Sequence, residues 1–311
     1  MSDNIESDRE GLVPSGKREL SAVRPDLFRR GLELIDNLEK GARVIAFPED
    51  RSAGKLFVTY TVDFPVSHKC TEFLCEAQGN VSVSAGNYLL LDIREEYPSD
   101  LSSLVALKTG DLDALSISNG HIGDHELTCL RGLTKLRELF LIYSWKITDD
   151  GLMGLQGLNV LQSILIEGSR IGDSGLTHLQ VLPDLRDLHL TNTQVTNAGL
   201  SILSNFSALR KCRLWYTDLI GDAGLAHLGR LTKLEQLSLT GTKISDAGLS
   251  HLCKMIGLQV LSLSETGISD AGLEYLRGMK NLKRLILSAT SVTDTGVSRL
   301  KNYLPDCEIV N

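Results

Sequence analysis

The sequence lacks long apolar runs, and no stretch approaches the about 20 consecutive apolar residues that a membrane-spanning helix requires. The segment from Met1 to Arg30 is polar and charged, without the apolar centre of a secretory signal. These two absences predict a cytoplasmic protein with no membrane partner.

Cysteine is sparse, and its spacing matches no common site. The six cysteines are Cys70, Cys75, Cys129, Cys212, Cys253 and Cys307. No two of them form a C-x-x-C pair, the spacing typical of zinc and redox sites. Cys212 takes the place of a strand leucine in the repeat described below, which favours a buried free thiol in a reducing compartment.

An excess of basic charge is also absent. Residues 1–100 hold 18 acidic and 12 basic residues, a net charge of −6. Residues 101–311 hold 21 acidic and 20 basic residues, a net charge of −1. A nucleic-acid-binding surface is usually basic, so the charge predicts that nucleic acid is not the partner.

Motifs for catalysis and phosphate binding are missing as well. The sequence has no glycine-rich phosphate loop after a strand, no G-x-S-x-G and no H-E-x-x-H. His121 and His125 are four residues apart, but both fall on variable positions of the repeat. The sequence therefore predicts no metal ion, no cofactor and no catalytic residue.

What the sequence does contain is one motif copied in series. The marker is a glycine followed by an aliphatic residue, at steps of 24, 24, 25, 24, 24 and 24 residues. These glycines are Gly151, Gly175, Gly199, Gly224, Gly248, Gly272 and Gly296. A degenerate copy with Glu126-Leu127 precedes them, so we count eight units between about Leu104 and Leu300.

Each unit reads approximately L-x-x-L-x-x-L-x-L-x-x-T-x-I-T-D-x-G-L-x-x-L. The L-x-L core alternates with period two and predicts a short strand with one buried face. The later G-L-x-x-L places two apolar residues on one side of a helical turn. The Ser/Thr-Asp pair before that turn predicts a helix cap, as at Thr148, Ser245, Ser269 and Thr293.

A single unit cannot bury its own apolar face, so we expect the units to stack around a continuous core. Stacked strands lie about 4.8 Å apart, whereas packed helices need about 8–10 Å. This difference predicts a curved α/β solenoid with the parallel sheet on the concave side and the short helices on the convex side.

The pattern resembles the leucine-rich repeat family over about residues 104–311. It is similar to bacterial 24-residue repeats with T-x-I-T-D-x-G-L and to the longer, cysteine-containing repeats of F-box proteins. The family usually has Asn or Cys at an inward turn position, where this chain has hydroxyl residues that can bond the turn backbone in the same way. They are Ser169, Thr193, Thr217, Thr242, Thr266 and Thr290. The resemblance implies a right-handed horseshoe and a function in protein recognition.

The chain divides into three predicted regions. Residues 1–23 form a flexible N-terminus, residues 24–103 a small α+β cap or domain, and residues 104–311 the leucine-rich-repeat domain with a C-terminal closing strand. The middle region begins with a predicted helix from Pro25 to about Lys40, on which Phe28, Leu32, Ile35 and either Leu38 or Glu39 fall near helical spacing. Strands follow at Arg43–Phe47 and Lys55–Val62, and then a hairpin over Asn80–Ile93 that covers the first repeat.

Three columns of strand residues point away from the predicted core. The first holds Ala114, Glu138, Ser163, Asp187, Lys211, Gln236, Val260 and Arg284. The second holds Ser116, Phe140, Leu165, His189, Arg213, Ser238, Ser262 and Ile286, and the third holds Ser118, Ile142, Glu167, Thr191, Trp215, Thr240, Ser264 and Ser288. Large residues concentrate in units two to five, while the later units carry mainly Ser and Thr.

Both tryptophans lie in the two units that have one extra residue, between Leu139 and Ile147 and between Cys212 and Ile220. The extra residue predicts a bulge that presents aromatic side chains at the rim of the strands; alternatively, those side chains only pack over the bulge. Exposed aromatics beside Arg are typical of binding hot spots. The predicted partner-binding residues are Phe140, Ile142, Tyr143, Trp145, Leu165, Glu167, His189, Arg213, Trp215 and Tyr216.

We therefore predict a non-catalytic scaffold that binds a protein on its concave face. One alternative is a substrate-receptor or effector subunit linked to a ubiquitin ligase, although residues 24–80 show no F-box-like Leu-Pro helix. A second alternative is an enzymatic or regulatory domain within residues 24–100 that uses the repeats as a targeting arm.

Overall fold

The computed structural model describes residues 43–59, 71–84, 86–97 and 100–311. The predicted flexible segment 1–23 and the predicted helix at Pro25–Lys40 lie outside these residues. The strands preceding the repeats are β1 (Arg43–Ala46), β2 (Lys55–Thr59), β3 (Thr71–Glu76), β4 (Asn80–Val83) and β5 (Tyr88–Arg94).

Nine further strands follow at the repeat period. They are β6 (Ala114–Ser118), β7 (Glu138–Leu141), β8 (Ser163–Glu167), β9 (Asp187–Thr191), β10 (Lys211–Trp215), β11 (Gln236–Ser238), β12 (Val260–Ser262), β13 (Arg284–Ile286) and β14 (Glu308–Val310). All are parallel to their neighbours, and β5 is parallel to β6. The eight repeat strands β6 to β13 therefore lie where the L-x-L pattern predicts them.

Short helices connect the strands. The α-helices are Asp124–Leu127, Asp173–Leu179, Gly199–Leu203, Asp222–Leu228, Asp246–Leu249 and Asp294–Lys301. The 3₁₀ helices are Leu101–Ala106, Thr128–Gly132, Asp149–Leu155 and Gly272–Leu276. The leucines of the strands and of these helices share one continuous buried core, so the chain is a repeat solenoid of parallel strands backed by short helices.

The region before the repeats differs from the prediction. Within the described residues one sheet contains twelve strands in the order β14 to β5, then β2 and β3, and a second sheet contains only β1 and β4. The hairpin predicted over Asn80–Ile93 is wrong, because β4 pairs with β1 while β5 lies between β2 and β6. The 3₁₀ helix Leu101–Ala106 follows β5, so this segment has the strand-then-helix order of the later units.

Side-chain carboxylates join each unit to the next. The aspartate of one unit accepts a hydrogen bond at 2.7 to 2.8 Å from a backbone N–H in the turn of the next unit. In one unit Asn197 takes the place of the aspartate. These acceptors, called the clamp residues below, are Asp124, Asp149, Asp173, Asn197, Asp222, Asp246 and Asp270. Five of the aspartates also accept the hydroxyl of the next unit, from Thr148, Thr196, Ser245, Ser269 and Thr293.

This arrangement corrects the predicted role of the Ser/Thr residues. Thr148 and Ser245 accept no hydrogen bond from their own helices, and their hydroxyls point back to the preceding clamp residue instead. Thr293 does both, since its hydroxyl oxygen also accepts the N–H of Gly296 at 3.2 Å. The pair therefore serves mainly to bind neighbouring units together.

The clamp also explains the glycine that marks each unit. A Cβ on Gly248 would lie 2.4 Å from the Oδ1 atom of Asp222, and a Cβ on Gly296 would lie 2.1 Å from that of Asp270. No side chain fits at such distances. The glycine is required because the carboxylate of the preceding unit occupies the space of its side chain.

We expect Asp222→Ala to lower the free energy of unfolding by about 2 kcal/mol, because the N–H and the hydroxyl of Ser245 both lose their acceptor. Asp222→Asn should lose less, since Asn197 shows that an amide oxygen still accepts the backbone bond. Asp218→Ala is the control, because Asp218 is exposed and forms only a surface ion pair with Lys243. Urea unfolding measures the three variants, and equal stability of Asp222→Ala and Asp218→Ala would refute a structural clamp.

Candidate functional site

The face of the twelve-stranded sheet that points away from the core is called the open face. Strand residues alternate between the core and this face, and the core leucines of β6 to β13 are fully buried. The first and second columns predicted from the sequence are in register from β6 to β13. The open face therefore carries continuous rows of side chains, one residue from each strand.

Four of the predicted binding residues form a single row. Phe140, Leu165, His189 and Arg213 are successive partners in the second column. Neighbouring strands are about 4.8 Å apart, so the row is about 14 Å long. All four side chains are half-buried, which leaves part of each accessible from the open face.

Trp215 is held in place by neighbours on both sides. Its ring meets the His189 ring edge-to-face, with 4.4 Å between the centroids. Its indole N–H donates to the hydroxyl of Ser238 at 2.7 Å. The Ser238 hydroxyl is hydrogen-bonded to the hydroxyl of Thr240, which is hydrogen-bonded in turn to that of Ser262. Because its polar atom is already bonded, the half-buried indole offers the open face an apolar ring in a fixed position.

The charge of Arg213 is compensated within the protein. Its guanidinium donates to the Oδ1 atom of Asp187 at 2.8 Å, and the side chains are 19% and 4% exposed. Burial of the imidazole, with a smaller contribution from Arg213, lowers the pKa of His189 from 6.5 to about 4. At neutral pH the row therefore presents apolar rings and a neutral imidazole beside a balanced ion pair.

The rim aromatics Tyr143 and Tyr216 occupy the same position in units two and five. Both have left-handed backbones, with φ of 56° and 49°. Glycine or Asn normally fills such positions, and the equivalent residues in units three and six are Gly168 and Gly241. Both tyrosines are exposed, and the hydroxyl of Tyr216 donates to Glu265 at 2.9 Å.

Trp145 lies in the longer turn of unit two and is 47% exposed. A Cβ on Gly120 would lie 1.8 Å from the Trp145 ring, so the indole rests directly on the backbone of the preceding unit. Trp145 thus packs over its bulge and also remains accessible. In the longer turn of unit five the structure exposes Leu219, at 54%, a residue that the sequence pattern does not mark.

The remaining predicted residues lie in the third column. Ile142 and Glu167 are half-buried, and Glu167 aligns with Thr191 and then Trp215 across β8, β9 and β10. The structure therefore brings the predicted residues to one face, in two neighbouring columns and a rim. Asp187 and Ser238, which support these residues, occupy ordinary repeat positions, so the sequence carries no signal for their role.

Aromatic residues from the strands before the repeats also lie on the open face. Phe57 in β2 pairs with Leu90 in β5 and with Phe73 in β3, so the first column continues across these strands. The Phe57 and Phe73 rings meet edge-to-face at 5.7 Å. Phe57 and Phe140 also pack against a small cluster of Tyr88, Leu90 and Ala114. In a strand, Phe57 and Val58 point to opposite faces, so the sequence indicates that Phe57 lies on the face opposite Val58. This pattern does not reveal which sheet the strand joins.

Nothing among the described side chains suggests a metal centre, since they contain no group of three or more His, Cys, Asp or Glu residues arranged to hold a metal ion. In the same part of the chain, every helix is too short or too polar to cross a bilayer.

The fold has known relatives. A family described as Leucine Rich repeat matches residues 230–253 and 258–276. The solved structure of an internalin (inlF) from Listeria monocytogenes str. 4b F2365 is 24% identical, with a TM-score of 0.51. These findings support a leucine-rich repeat family. The alignment covers 71% of this chain and 66% of the internalin, just under two thirds of that protein.

A second solved structure, internalin C2 (inlC2) from the same organism, is 22% identical over 60% of this chain and 73% of the other, with a TM-score of 0.46. No curated protein matches the sequence. At these identities the comparison concerns the leucine-rich-repeat fold alone.

We expect the His189 imidazole to titrate near pH 4 in the folded protein. Because its pKa is lower when folded than the ordinary 6.5, its contribution to stability is complete above pH 6.5 and is lost as the pH falls towards 4. Arg213→Ala should raise the pKa of His189 only part of the way back to 6.5, since burial is the larger cause of the shift. NMR titration of the ring carbons gives the pKa, His189→Gln identifies the signal, and a midpoint near 6.5 would contradict a buried ring.

Proposed function

We propose that this chain is a non-catalytic scaffold that binds a protein partner on the open face of the sheet, over β7 to β10. The supporting observation is the continuous row Phe140, Leu165, His189 and Arg213, with Trp215 fixed beside it. Aromatic residues surrounded by polar groups are where interface energy concentrates. The rim residues Tyr143, Trp145 and Tyr216, with Ile142 and Glu167, extend the same surface.

The curvature of the array and the covering of its first repeat are also part of what we propose. Because strands stack more closely than helices, we infer that the array curves as a right-handed horseshoe with the open face concave. We also infer that the repeats are of the bacterial 24-residue type, and that β1 to β5 shield the first repeat from solvent. A concave face suits a scaffold because it surrounds a partner with side chains from several units.

The chemistry of the row suggests the kind of partner. Arg213 is already paired with Asp187, and His189 is neutral at pH 7. The partner's contact segment is therefore proposed to be apolar or aromatic, because an acidic segment would find no uncompensated cation in this row. Fixed rings lose little conformational freedom on binding, which favours affinity.

The double variant Phe140→Ala with Trp215→Ala tests the site. A truncated hot-spot residue typically loses about 2 kcal/mol of binding energy or more, so we expect binding to fall at least about thirtyfold. The partner is first recovered by affinity capture with the intact protein, and its Kd is then measured by calorimetry. Circular dichroism should show an unchanged fold, because both side chains are only half-buried.

The matched control is Ser264→Ala with Ser288→Ala, which changes two half-buried third-column residues outside the row. This control should bind like the wild type. Ser238 is unsuitable as a control because it positions Trp215. Normal binding by a folded Phe140→Ala, Trp215→Ala variant would place the partner elsewhere.

A further inference from the structure

The charges of the repeat array are separated along the direction of the strands. In units five to eight, the segments that lead from a helix into the next strand are residues 204–211, 229–236, 253–260 and 277–284. They contain nine basic residues and one acidic residue, Glu235. The basic residues are Arg210, Lys211, Arg230, Lys233, Lys254, Arg277, Lys280, Lys283 and Arg284. Because β10 to β13 are parallel, these segments lie at one edge of the sheet, called the basic edge below.

The opposite edge of the same units has the opposite charge. The segments that lead from strand to helix there contain one basic residue, Lys243, and six acidic residues. The acidic residues are Asp218, Asp222, Asp246, Glu265, Asp270 and Asp294. Three of them are clamp residues, so the repeat itself accounts for much of the acidic charge. The clamp requires no cation at the basic edge, and the small net charge of the array therefore conceals an uneven distribution.

The fold does not require cations at this edge. Residues 156–163 form the same connection, from the helix Asp149–Leu155 into β8, and contain no charged residue. A cation can offset the dipole of a helix, but only within the last turn. Lys233, Lys280 and Lys283 lie beyond the last turns of their helices. Solubility would be served equally well by acidic residues, so neither the fold nor solubility explains the excess of one sign.

Most of the charge at the basic edge is not balanced by neighbours. The three cations that form ion pairs are Arg210 with Glu235, Arg277 with Glu274, and Arg284 with Glu308. Five others are exposed and form no ion pair with any residue that the structure describes, and they are Arg230, Lys233, Lys254, Lys280 and Lys283. Lys280 donates a hydrogen bond to the carbonyl of Tyr303 at 2.6 Å, but a carbonyl has no net charge to balance the ammonium. These five cations are therefore available to an anionic ligand.

An exposed apolar side chain lies among these cations. Ile256 is 63% exposed, and its backbone carbonyl accepts the side-chain amide of Asn281 at 2.8 Å. This bond holds the loops of units seven and eight side by side. A shallow hollow beside them is lined by Gly257, Lys280 and Asn281, among others. An isoleucine side chain gains nothing from a phosphate group, whereas it can be buried by an apolar side chain of a peptide.

We propose that the basic edge of units five to eight binds a protein segment rich in Asp and Glu, with an apolar side chain that contacts Ile256. In an extended segment, side chains on one side recur about every 6.7 Å. Neighbouring units are about 4.8 Å apart at their strands and about 8–10 Å apart at their helices, so a segment crossing the loops between them presents about one carboxylate to each unit. The inference goes beyond the proposed function, because the basic edge shares no residue with the row on the open face.

The test measures binding of the full chain to a short fluorescein-labelled peptide of Asp and Glu residues with a central Leu, by fluorescence anisotropy. Binding should weaken as the salt concentration rises from about 0.02 to about 0.15 M, because salt screens exposed charges. Lys254→Glu with Lys283→Glu should weaken binding about tenfold, since each reversal replaces an attraction with a repulsion. Circular dichroism should show an unchanged fold, because both side chains are exposed.

The matched control is Lys146→Glu with Arg170→Glu. These cations are also exposed and form no ion pair with a described residue, but they lie at the opposite edge of the sheet, between strand and helix. The same change in net charge should therefore leave binding of the peptide unchanged. If the variant at Lys254 and Lys283 fails to fold, Lys254→Gln with Lys283→Gln, which only removes the charges, should still weaken binding severalfold.

Further probes identify the ligand. A peptide with Asn and Gln in place of Asp and Glu should not bind, and Phe140→Ala with Trp215→Ala should bind the acidic peptide normally, which separates this test from that of the open face. Equal binding of the two peptides overturns the proposal, as does an equal loss in the variant and its control. Tighter binding of single-stranded oligothymidylate than of the peptide assigns the edge to nucleic acid and overturns the proposal. Binding of phosphatidylserine vesicles without binding of the peptide assigns the edge to a membrane and also overturns it.

Discussion

The carboxylate clamp between successive units is the interaction on which the repeat depends. Each clamp residue accepts the next turn's backbone N–H, and its position excludes any side chain from the next unit's marker glycine. One interaction thus explains both the aspartate and the glycine of the motif. Since the aspartate lies in one unit and its donors in the next, the motif stabilises pairs of units, and a single unit gains nothing from it.

The turn after each strand imposes the second constraint. From unit two to unit eight this turn contains one residue with a left-handed backbone, and that residue is Tyr143, Gly168, Asn192, Tyr216, Gly241, Glu265 or Ala289. For a residue other than glycine this conformation costs on the order of 1 kcal/mol. The two tyrosines fall in the two units with an extra residue, and both rings are exposed at the rim. Strain of this kind at exposed aromatics is compatible with selection for binding.

The sequence predicts the repeated part of the fold in detail because the period fixes the register. Once Leu139 and Ile164 are equivalent, the alignment of Phe140 with Leu165 follows. The preceding region has no period, so the pairing of β4 with β1 depends on distant contacts that local alternation does not encode. In the candidate site, the period likewise predicts which residues lie on the open face. It does not predict the Asp187–Arg213 pair or the Trp215–Ser238 bond, because these depend on side-chain directions.

The columns of the open face differ in chemistry. The second and third columns carry the residues proposed to contact a partner. The charges in the second column are balanced internally, so a partner held there gains mainly from apolar contact. Such binding changes little with salt, because screening acts on exposed charges and the Arg213–Asp187 pair is largely buried. Its specificity then comes from the shape of the fixed rings, which the Ser238 hydrogen bond maintains.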